Sequence, residues 1–338
     1  MILSIKTQKG SYPILVERGA LSRAKELMDL SRRCMIVTDD QIPTSYIETL
    51  RSQCAKSSLF VIPAGEKSKS MASFEACLGK MLDEGFTRSD CVVALGGGVV
   101  GDLAGFIAAS FQRGVDFYNI PTTVLSQVDS SIGGKVAINF RGLKNMVGAF
   151  YPPKAVLIDP ETLSTLPERQ IANGLAESVK MALCFDAKLF ERIEQSSPMD
   201  KIDEIIVQSL RIKARVVEED EREEGLRKVL NFGHTLAHAI ESESHRTGNI
   251  LYHGESVALG MLPMSAPPVR ERLKKVLEKL SLPTVWQGQP EELLEAMGHD
   301  KKMSGNSITV IRVDTVGSFR MEKLPFSQFQ EEVKGLRL

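Results

Sequence analysis

Four of the five histidines fall within twenty residues: His234 and His238 in Asn231-Phe-Gly-His234-Thr-Leu-Ala-His238-Ala-Ile-Glu241, then His245, then His253 in Tyr252-His253-Gly-Glu255. Neutral imidazole is the commonest nitrogen ligand for metals, and its charge changes near neutral pH. His234 and His238 stand four apart in an apolar run that permits a helix, so they share one helix face. Such a cluster does metal or proton chemistry only if a carboxylate from elsewhere completes it. Without one it is the polar face of a helix with capping histidines.

Gly96-Gly97-Gly98-Val99-Val100-Gly101-Asp102 satisfies G-x-G-x-x-G, follows the apolar run Cys91–Leu95 and opens a helical pattern. Glycines there permit a tight turn and close backbone approach, and the helix N-terminus offers N–H groups to a pyrophosphate. Glycine at a strand–helix turn also serves packing alone. The motif lies in the third strand–helix turn, and no acid stands at a strand end about twenty residues later to take an adenosine ribose. Asp39, or Glu66 in Gly65-Glu66-Lys67-Ser68-Lys69, is the acid available upstream.

Gln112-Arg113-Gly114, Pro121-Thr122-Thr123, Asp129-Ser-Ser-Ile-Gly-Gly-Lys135 and Lys144-Asn145 make a polar, glycine-rich run. Residues of this kind build surface loops. Gly133-Gly134 beside Lys135 also brings N–H groups and an ammonium to an anion. No Gly-Lys-Ser/Thr follows, so this is not a Walker A loop. Asp129 is a base or a turn cap. Further on, Glu177 and Lys180 share a face of an otherwise apolar helix. They are either a snorkelling ion pair at its edge or a carboxylate ligand beside a substrate cation. A buried Glu177 needs a partner in both cases. Lys213 and Arg227 flank the acidic run Glu218–Glu224, which alone reads as a solvated face, and with Lys180 they are candidates for gripping an oxyanion. His299-Asp-Lys301-Lys302 is a second basic candidate.

These groups need a scaffold, and 338 residues suit two domains. From the start to residue 159, short apolar strands (Cys34–Thr38, Leu59–Ile62, Cys91–Leu95, Phe117–Ile120, Ala155–Ile158) end in polar or glycine turns. Helical patterns at Leu21–Leu30, Ser45–Lys56, Ser70–Glu84 and Val100–Phe111 separate them, which predicts a parallel sheet covered on both faces. Ligands bind beyond the carboxyl ends of such strands. Residues 160–338 read as mainly helical: Ile171–Phe185, Ala187–Gln195, Ile202–Glu219, Val229–Ser244, Glu255–Leu262 and Val269–Leu280, with a late strand at Ser307–Val313.

The apolar content of 43% and net charge of -1 fit a soluble globular protein and give no reason to expect nucleic acid or an anionic membrane as partner. Five cysteines without Cys-x-x-Cys spacing argue against a disulfide framework or thiolate zinc site and for reduced thiols in the cytoplasm. The N-terminus lacks the features of a signal peptide, and the most apolar stretch, broken by glycines and Asp102, is no membrane span.

Taken in order, Gly65-Glu66-x-x-Lys69-Ser70, the Gly96–Asp102 loop, Gln112-Arg113-Gly114, Pro121-Thr122-Thr123, Val128–Lys135, Lys144–Phe150, Ala176-Glu177-x-x-Lys180, Asn231–Glu241 and His253-Gly-Glu255 resemble the 3-dehydroquinate synthase family of sugar phosphate cyclases. The resemblance implies a Rossmann-like α/β NAD-binding domain (1–159) and a mainly α-helical metal- and substrate-binding domain (160–338), assembled as a homodimer. It implies a metal, zinc or in some members cobalt, on Glu177, His234 and His253. It places NAD on Glu66, Lys69, Gly97, Gly98, Val99, Val100, Gly101, Asp102, Thr122, Thr123, Lys135, Lys144, Thr162, Leu163, Ser164 and Thr165, with Asp39 as the further acid. The substrate, a phosphorylated sugar acid, falls to Lys135, Asn145, Lys180, Lys213, Arg227, His238 and Lys301 or Lys302, with Arg113 reaching in from the other subunit. His238 and Asp129 are the candidates for moving protons. The implied reaction turns 3-deoxy-D-arabino-heptulosonate 7-phosphate into 3-dehydroquinate and phosphate through transient oxidation, β-elimination, reduction, ring opening and aldol closure. Ala237, Gly142-Leu143 and the prolines of Leu262–Pro268 depart from the family pattern. A 2-deoxy-scyllo-inosose or valiolone synthase, a metal-dependent polyol dehydrogenase and a non-catalytic binding protein are the rival readings.

Overall fold

Apolar runs such as Cys91-Val-Val-Ala-Leu-Gly96 have no polar face to turn to water, so they form strands only where both sides of a sheet are covered. The computed structural model describes residues 1–8, 10–288, 292–294, 297 and 307–335. It divides into two compact units, Met1–Pro167 with Lys213–Glu221, and Glu168–Ile212 with Arg222–Leu338.

The first unit is built on a seven-stranded sheet of order β1-β2-β9-β6-β5-β3-β4. Its strands are β1 (Ile2–Thr7), β2 (Gly10–Val16), β3 (Arg33–Asp39), β4 (Lys56–Ile62), β5 (Cys91–Gly96), β6 (Asp116–Pro121) and β9 (Ala155–Ile158). β1 is antiparallel to β2, and every other neighbouring pair is parallel. Alternate residues face opposite ways. Met35, Val37, Val92, Ala94 and Phe117 pack with α2 (Met71–Asp83) and α3 (Gly98–Ser110). Cys34, Ile36, Cys91, Val93 and Leu95 pack with α1 (Thr44–Arg51) and the turn Ala20–Glu26 on the other face.

The expected helix over Leu21–Leu30 is a short 3-10 segment, Ala20–Glu26, with non-helical backbone at Arg23. The segment 135–150 is not a loop but a hairpin, β7 (Lys135–Phe140) and β8 (Leu143–Phe150). Its inner residues Val136 and Ile138 close the α2–α3 core. Gly105 of α3 permits this, because a Cβ there would lie 2.3 Å from Val136 Cγ1. The acidic run does more than face solvent. Lys6 N–H donates to Glu218 Oε1 at 2.8 Å and Gln8 N–H to Glu221 Oε2 at 2.7 Å, covering part of the exposed edge of β1.

The second unit is mainly helical: α4 (Glu168–Phe185), α5 (Ala187–Gln195), the start of α6 (Ile202–Glu219), α7 (His234–Thr247), α8 (His253–Met261) and α9 (Pro267–Lys279). A ribbon of β10 (Ser307–Arg312) and β11 (Arg320–Pro325) and a last helix, Phe326–Lys334, complete it. The expected helix over Val229–Ser244 is divided. Gly233 takes a left-handed φ of 76° beside the backbone of Met261, so α7 starts at His234 after a separate turn, Leu226–Asn231. The prolines of 263–268 stop α8 and open α9, where Pro267 stands in the first turn. No described helix is long and apolar enough to cross a membrane.

Candidate functional site

In the second unit, α4 is buried on almost every side and carries Glu177, 1% exposed. Helices α7 and α8 bring imidazoles to it from their first residues. His234 Nε2 lies 3.6 Å and His253 Nε2 3.4 Å from Glu177 Oε1. One donor atom from each of the three falls within 4.8 Å of the others. Two close backbone approaches set this up. A Cβ on Gly254 would stand 1.9 Å from the Asn173 carbonyl of α4, and one on Gly260 would stand 2.2 Å from the Gly233 carbonyl and 3.1 Å from Ala237 N of α7. Glycine on α8 therefore leaves room for Ala237, which is 1% exposed.

The electrostatics call for a cation. Lys180, 2% exposed, forms an ion pair with Glu177, yet neither carboxylate oxygen has a partner in hydrogen-bonding geometry. Burial pushes the Glu177 carboxyl up, but Lys180, His253 and His234 outweigh it and hold it well below the usual carboxylate range. Burial, then Lys180, keeps His234 well below its ordinary value and neutral. A ring nitrogen must be neutral to bind a metal. His234 Nδ1 faces the Phe232 carbonyl at 3.2 Å, which leaves Nε2 toward Glu177. His253 is pushed down by burial and up by Glu177 and Glu241, to about 9. Its Nδ1 lies 3.7 Å from Glu241 Oε2. Two carboxylates thus favour a positive charge at this imidazole, and a divalent ion meets the same demand. Three N/O ligands with orphaned oxygens fit zinc or cobalt.

His238 belongs to the same cluster without joining the three. Its ring centroid is 5.6 Å from that of His234 and 6.4 Å from that of His253. Arg227 is buried, at 4% exposed. Lys301 and Lys302 lie outside the described residues.

In the first unit, the glycine loop runs from β5 into α3, whose N-cap Gly97 has no side chain to occupy the first N–H groups. Gly97 and Gly98 pack so closely on Thr123 and Ser130 that a Cβ would fall 3.1 Å and 3.0 Å from them. Val99, Val100, Gly101 and Asp102 form the first turns of α3. Lys69 is buried and reaches Asp102 at 2.5 Å and Glu66 at 3.9 Å. Burial raises the Asp102 carboxyl against the pull of Lys69. Asn139 donates to Glu66 Oε1 at 2.8 Å and accepts from Asn145 N–H at 2.9 Å, tying the hairpin to the Gly65–Lys69 turn. Thr122 is buried with an orphaned Oγ1. Lys213 holds Asp129 through Oδ1 at 2.7 Å and its backbone carbonyl at 2.5 Å. Asp39 ends β3, Lys135 begins β7, and Lys144 and Asn145 are exposed on β8. Thr162, Leu163, Ser164 and Thr165 form a 3-10 segment after β9. Gln112 and Arg113 adopt φ of 51° and 66°, holding exposed Arg113 on a strained turn.

Two features escaped the sequence reading. Gln127, fully buried, donates from Nε2 to Pro121 O, Asp159 O and Thr162 Oγ1 at 3.1–3.2 Å, joining the Thr122 and Thr162 segments. Nothing in its local pattern signals that. Arg169 grips Glu255 with two hydrogen bonds, and its spacing of eight from Glu177 was a readable hint.

Residues 59–173 match the sequence model described as 3-dehydroquinate synthase N-terminal, and residues 174–303 match the one described as 3-dehydroquinate synthase C-terminal. The chain is 39% identical over 354 aligned residues to the 3-dehydroquinate synthase of Streptococcus suis (strain 05ZYH33), covering 98% of this chain and 99% of that one. It belongs to the 3-dehydroquinate synthase family. It is also 41% identical to the 3-dehydroquinate synthase of Thermoanaerobacter sp. (strain X514), over 91% of this chain and 93% of the relative. Among solved structures, a 2-epi-5-epi-valiolone synthase from Streptomyces hygroscopicus subsp. jinggangensis 5008 with NAD+ and Zn2+ bound superposes with a TM-score of 0.86 at 27% identity, covering 97% of this chain and 96% of that one. A 2-deoxy-scyllo-inosose synthase complexed with carbaglucose-6-phosphate, NAD+ and Co2+ gives 0.87 at 24% identity over 99% of each chain, a likeness of fold. The glycerol dehydrogenase of Schizosaccharomyces pombe shares the fold more distantly, with 0.61 at 18% identity over 99% of this chain and 89% of that one.

Proposed function

We propose that the chain converts 3-deoxy-D-arabino-heptulosonate 7-phosphate to 3-dehydroquinate and phosphate, as a carbon–oxygen lyase working with NAD and a divalent metal. The observation that carries the reading is Glu177, buried with both oxygens orphaned between two imidazoles, in a chain of this family. Glu177, His234 and His253 hold the metal, which is zinc or cobalt. The Gly65–Lys69 turn, the Gly97–Asp102 loop, Thr122, Thr123, Lys144 and the Thr162–Thr165 segment hold NAD. When bound, the metal supplies Lewis-acid polarisation of substrate hydroxyls and the nicotinamide supplies reversible hydride acceptance.

The protein's own groups bind and orient. The family resemblance assigns Lys135, Asn145, Lys180, Lys213, Arg227 and His238 to the phosphate and carboxylate of the substrate. Lys180 and Lys213 are buried cations already fixed by Glu177 and Asp129, so little side-chain freedom is lost when an anion arrives. His238 and Asp129 hold or move protons. Phe140, Leu143, Met146 and Phe150 are exposed on one hairpin, and this apolar ribbon supports a homodimer in which Arg113 serves the partner subunit. Five free cysteines support a reducing, cytoplasmic setting.

The test supplies the heptulosonate phosphate with metal and catalytic NAD and follows phosphate and nicotinamide absorbance. Stoichiometric phosphate with no net NADH is expected. Accumulating NADH without phosphate would identify a dehydrogenase instead, and phosphate from a hexose 6-phosphate alone would identify a sister cyclase.

A further inference from the structure

Glu177 does not act alone on its helix. Arg169, Asn173 and Glu177 follow one another at intervals of four along α4, so their side chains stack on one face. Each grips the start of α8. Arg169 Nε and Nη2 donate to the two oxygens of Glu255 at 2.7 and 2.8 Å, and Nη2 also donates to the Ile250 carbonyl at 2.9 Å. The guanidinium lies 4.2 Å over the Tyr252 ring. Glu255 accepts from Tyr252 N–H at 2.7 Å, fixing the residue just before His253. One turn along α4, Asn173 Oδ1 accepts from Gly254 N–H at 2.6 Å, fixing the residue just after it. The next turn presents Glu177 to the His253 ring itself.

Such grips matter because His253 is the first residue of its helix, where N–H groups lack helical partners and the backbone frays. Metal–ligand distances fall within about 0.2 Å of fixed values, so the backbone carrying a ligand must be held in place. We propose that Arg169 and Asn173 are positioning residues for His253, making α4 a template that supplies one metal ligand and fixes the backbone carrying another. This rests on the reading of Glu177, His234 and His253 as ligands of a divalent metal. Arg169 is half exposed but Glu255 is buried, with its side chain 8% exposed, so removing the guanidinium leaves a buried carboxylate without its cation and costs global stability as well. The positioning role is therefore read from the ligand-field spectrum and from Co(II) affinity measured well below the melting temperature, which lost global stability alone does not alter.

The experiment titrates the metal-free full-length chain with Co(II), reading affinity and the visible ligand-field spectrum, with thermal melting alongside. His253→Ala tests the ligand set and is expected to abolish the wild-type spectrum. Arg169→Met is expected to weaken Co(II) binding by about 10–100-fold and alter the spectrum beside a lowered melting temperature, with Arg169→Lys recovering part of the loss. Glu255→Gln, which keeps shape and weakens the pair, is expected to shift both readouts in the same direction, and it decides the matter if Arg169→Met does not fold. Wild-type affinity and spectrum in Arg169→Met and Glu255→Gln, beside loss in His253→Ala, would overturn the positioning role and leave the ligand set standing. Undiminished Co(II) binding by His253→Ala would overturn the ligand set itself.

Discussion

In the first unit, the buried ammonium of Lys69 meets Asp102, and that of Lys213 meets two oxygens of Asp129. In the second, Glu177 is as deeply buried, yet neither of its oxygens has a hydrogen bond, and it gathers Lys180, His234 and His253 around it. One unit settles its charges within itself and offers a ligand backbone N–H groups at a glycine turn. The other pairs its carboxylate with Lys180 and sets two imidazoles beside it, one of them kept neutral, while neither oxygen has a hydrogen bond. Burying a charge without full compensation is expensive, so the second arrangement persists where a bound cation completes it. Binding through backbone needs only geometry, whereas binding through buried side chains needs a stored electrostatic imbalance.

The largest test removes the imbalance. Glu177→Gln keeps the side-chain volume and takes away the charge, leaving Lys180 buried without its counterion. The metal-free protein is expected to lose about 3–5 kcal/mol of stability. Metal affinity should fall by more than the ~100-fold typical of outer-shell substitutions. NAD affinity, measured by titrating the quenching of protein fluorescence, should stay unchanged. Unaltered metal binding would place the cation elsewhere.

Breaking the settled pair should behave differently. Lys69→Met leaves Asp102 with a buried carboxyl that burial already raises. Asp102 keeps some solvent access, so the cost is expected at roughly 2–3 kcal/mol, below the range for a fully buried pair. Adding Asp102→Asn should recover at least half of it in denaturant melts, with metal affinity untouched throughout. A double variant no better than Lys69→Met would show that Lys69 stabilises by packing its stem rather than by pairing.

Packing gives the next smaller contrast. At Gly105 a Cβ would collide with Val136 Cγ1, the end of a side chain on a hairpin. At Gly254 it would collide with the Asn173 backbone carbonyl. Gly105→Ala is expected to cost about 1–3 kcal/mol, as overpacking does when a neighbour can shift. The rigid neighbour at Gly254 cannot shift without moving His253, so Gly254→Ala should lower metal affinity as well as stability. Metal titrations of the two variants separate these outcomes.

The same contrast explains what the sequence made readable. Parallel strands and their glycine turn were legible because an all-apolar run such as Cys91–Leu95 has few other fates, and Ala187–Gln195 and Ile202–Glu219 were legible from their periodicity. The hairpin 135–150 was not, because its glycines and lysines imitate a loop while its buried residues alternate only weakly. The break at Gly233 depends on contact with α8, which no local pattern announces. At the site, local spacing pointed to His234 and His238. Glu177 read equally as an ion-pair partner or a ligand, and only the family resemblance pointed to His253, since three helices must pack before those groups meet. Gln127 and Asn173 stayed invisible for the same reason. Their longest-range bonds join partners 35 and 81 residues away.

If the second unit reserves its buried charges for a metal, its outer ion pairs are left with ordinary structural work, and that work should be small. Arg272 of α9 donates from Nε and Nη2 to Glu194 of α5 at 3.0 and 2.6 Å. The Arg272 hydrogen bond, against a minor burial penalty, holds the Glu194 carboxyl below its ordinary 4.5. A depressed folded-state value means that the pair stabilises the protein above 4.5, where the unfolded carboxylate is also ionised, and loses that contribution as pH falls through the lower folded-state value. Arg272 is 42% exposed, and solvent screening keeps the effect below about 1 kcal/mol. Glu194→Gln is therefore expected to melt slightly earlier than wild type at neutral pH, with the gap closing as pH drops below 4.5. Raising the salt concentration should narrow the neutral-pH gap in the same way. A gap that persists unchanged in acid would mean that the Glu194 side chain supports α5 and α9 by shape and not by charge.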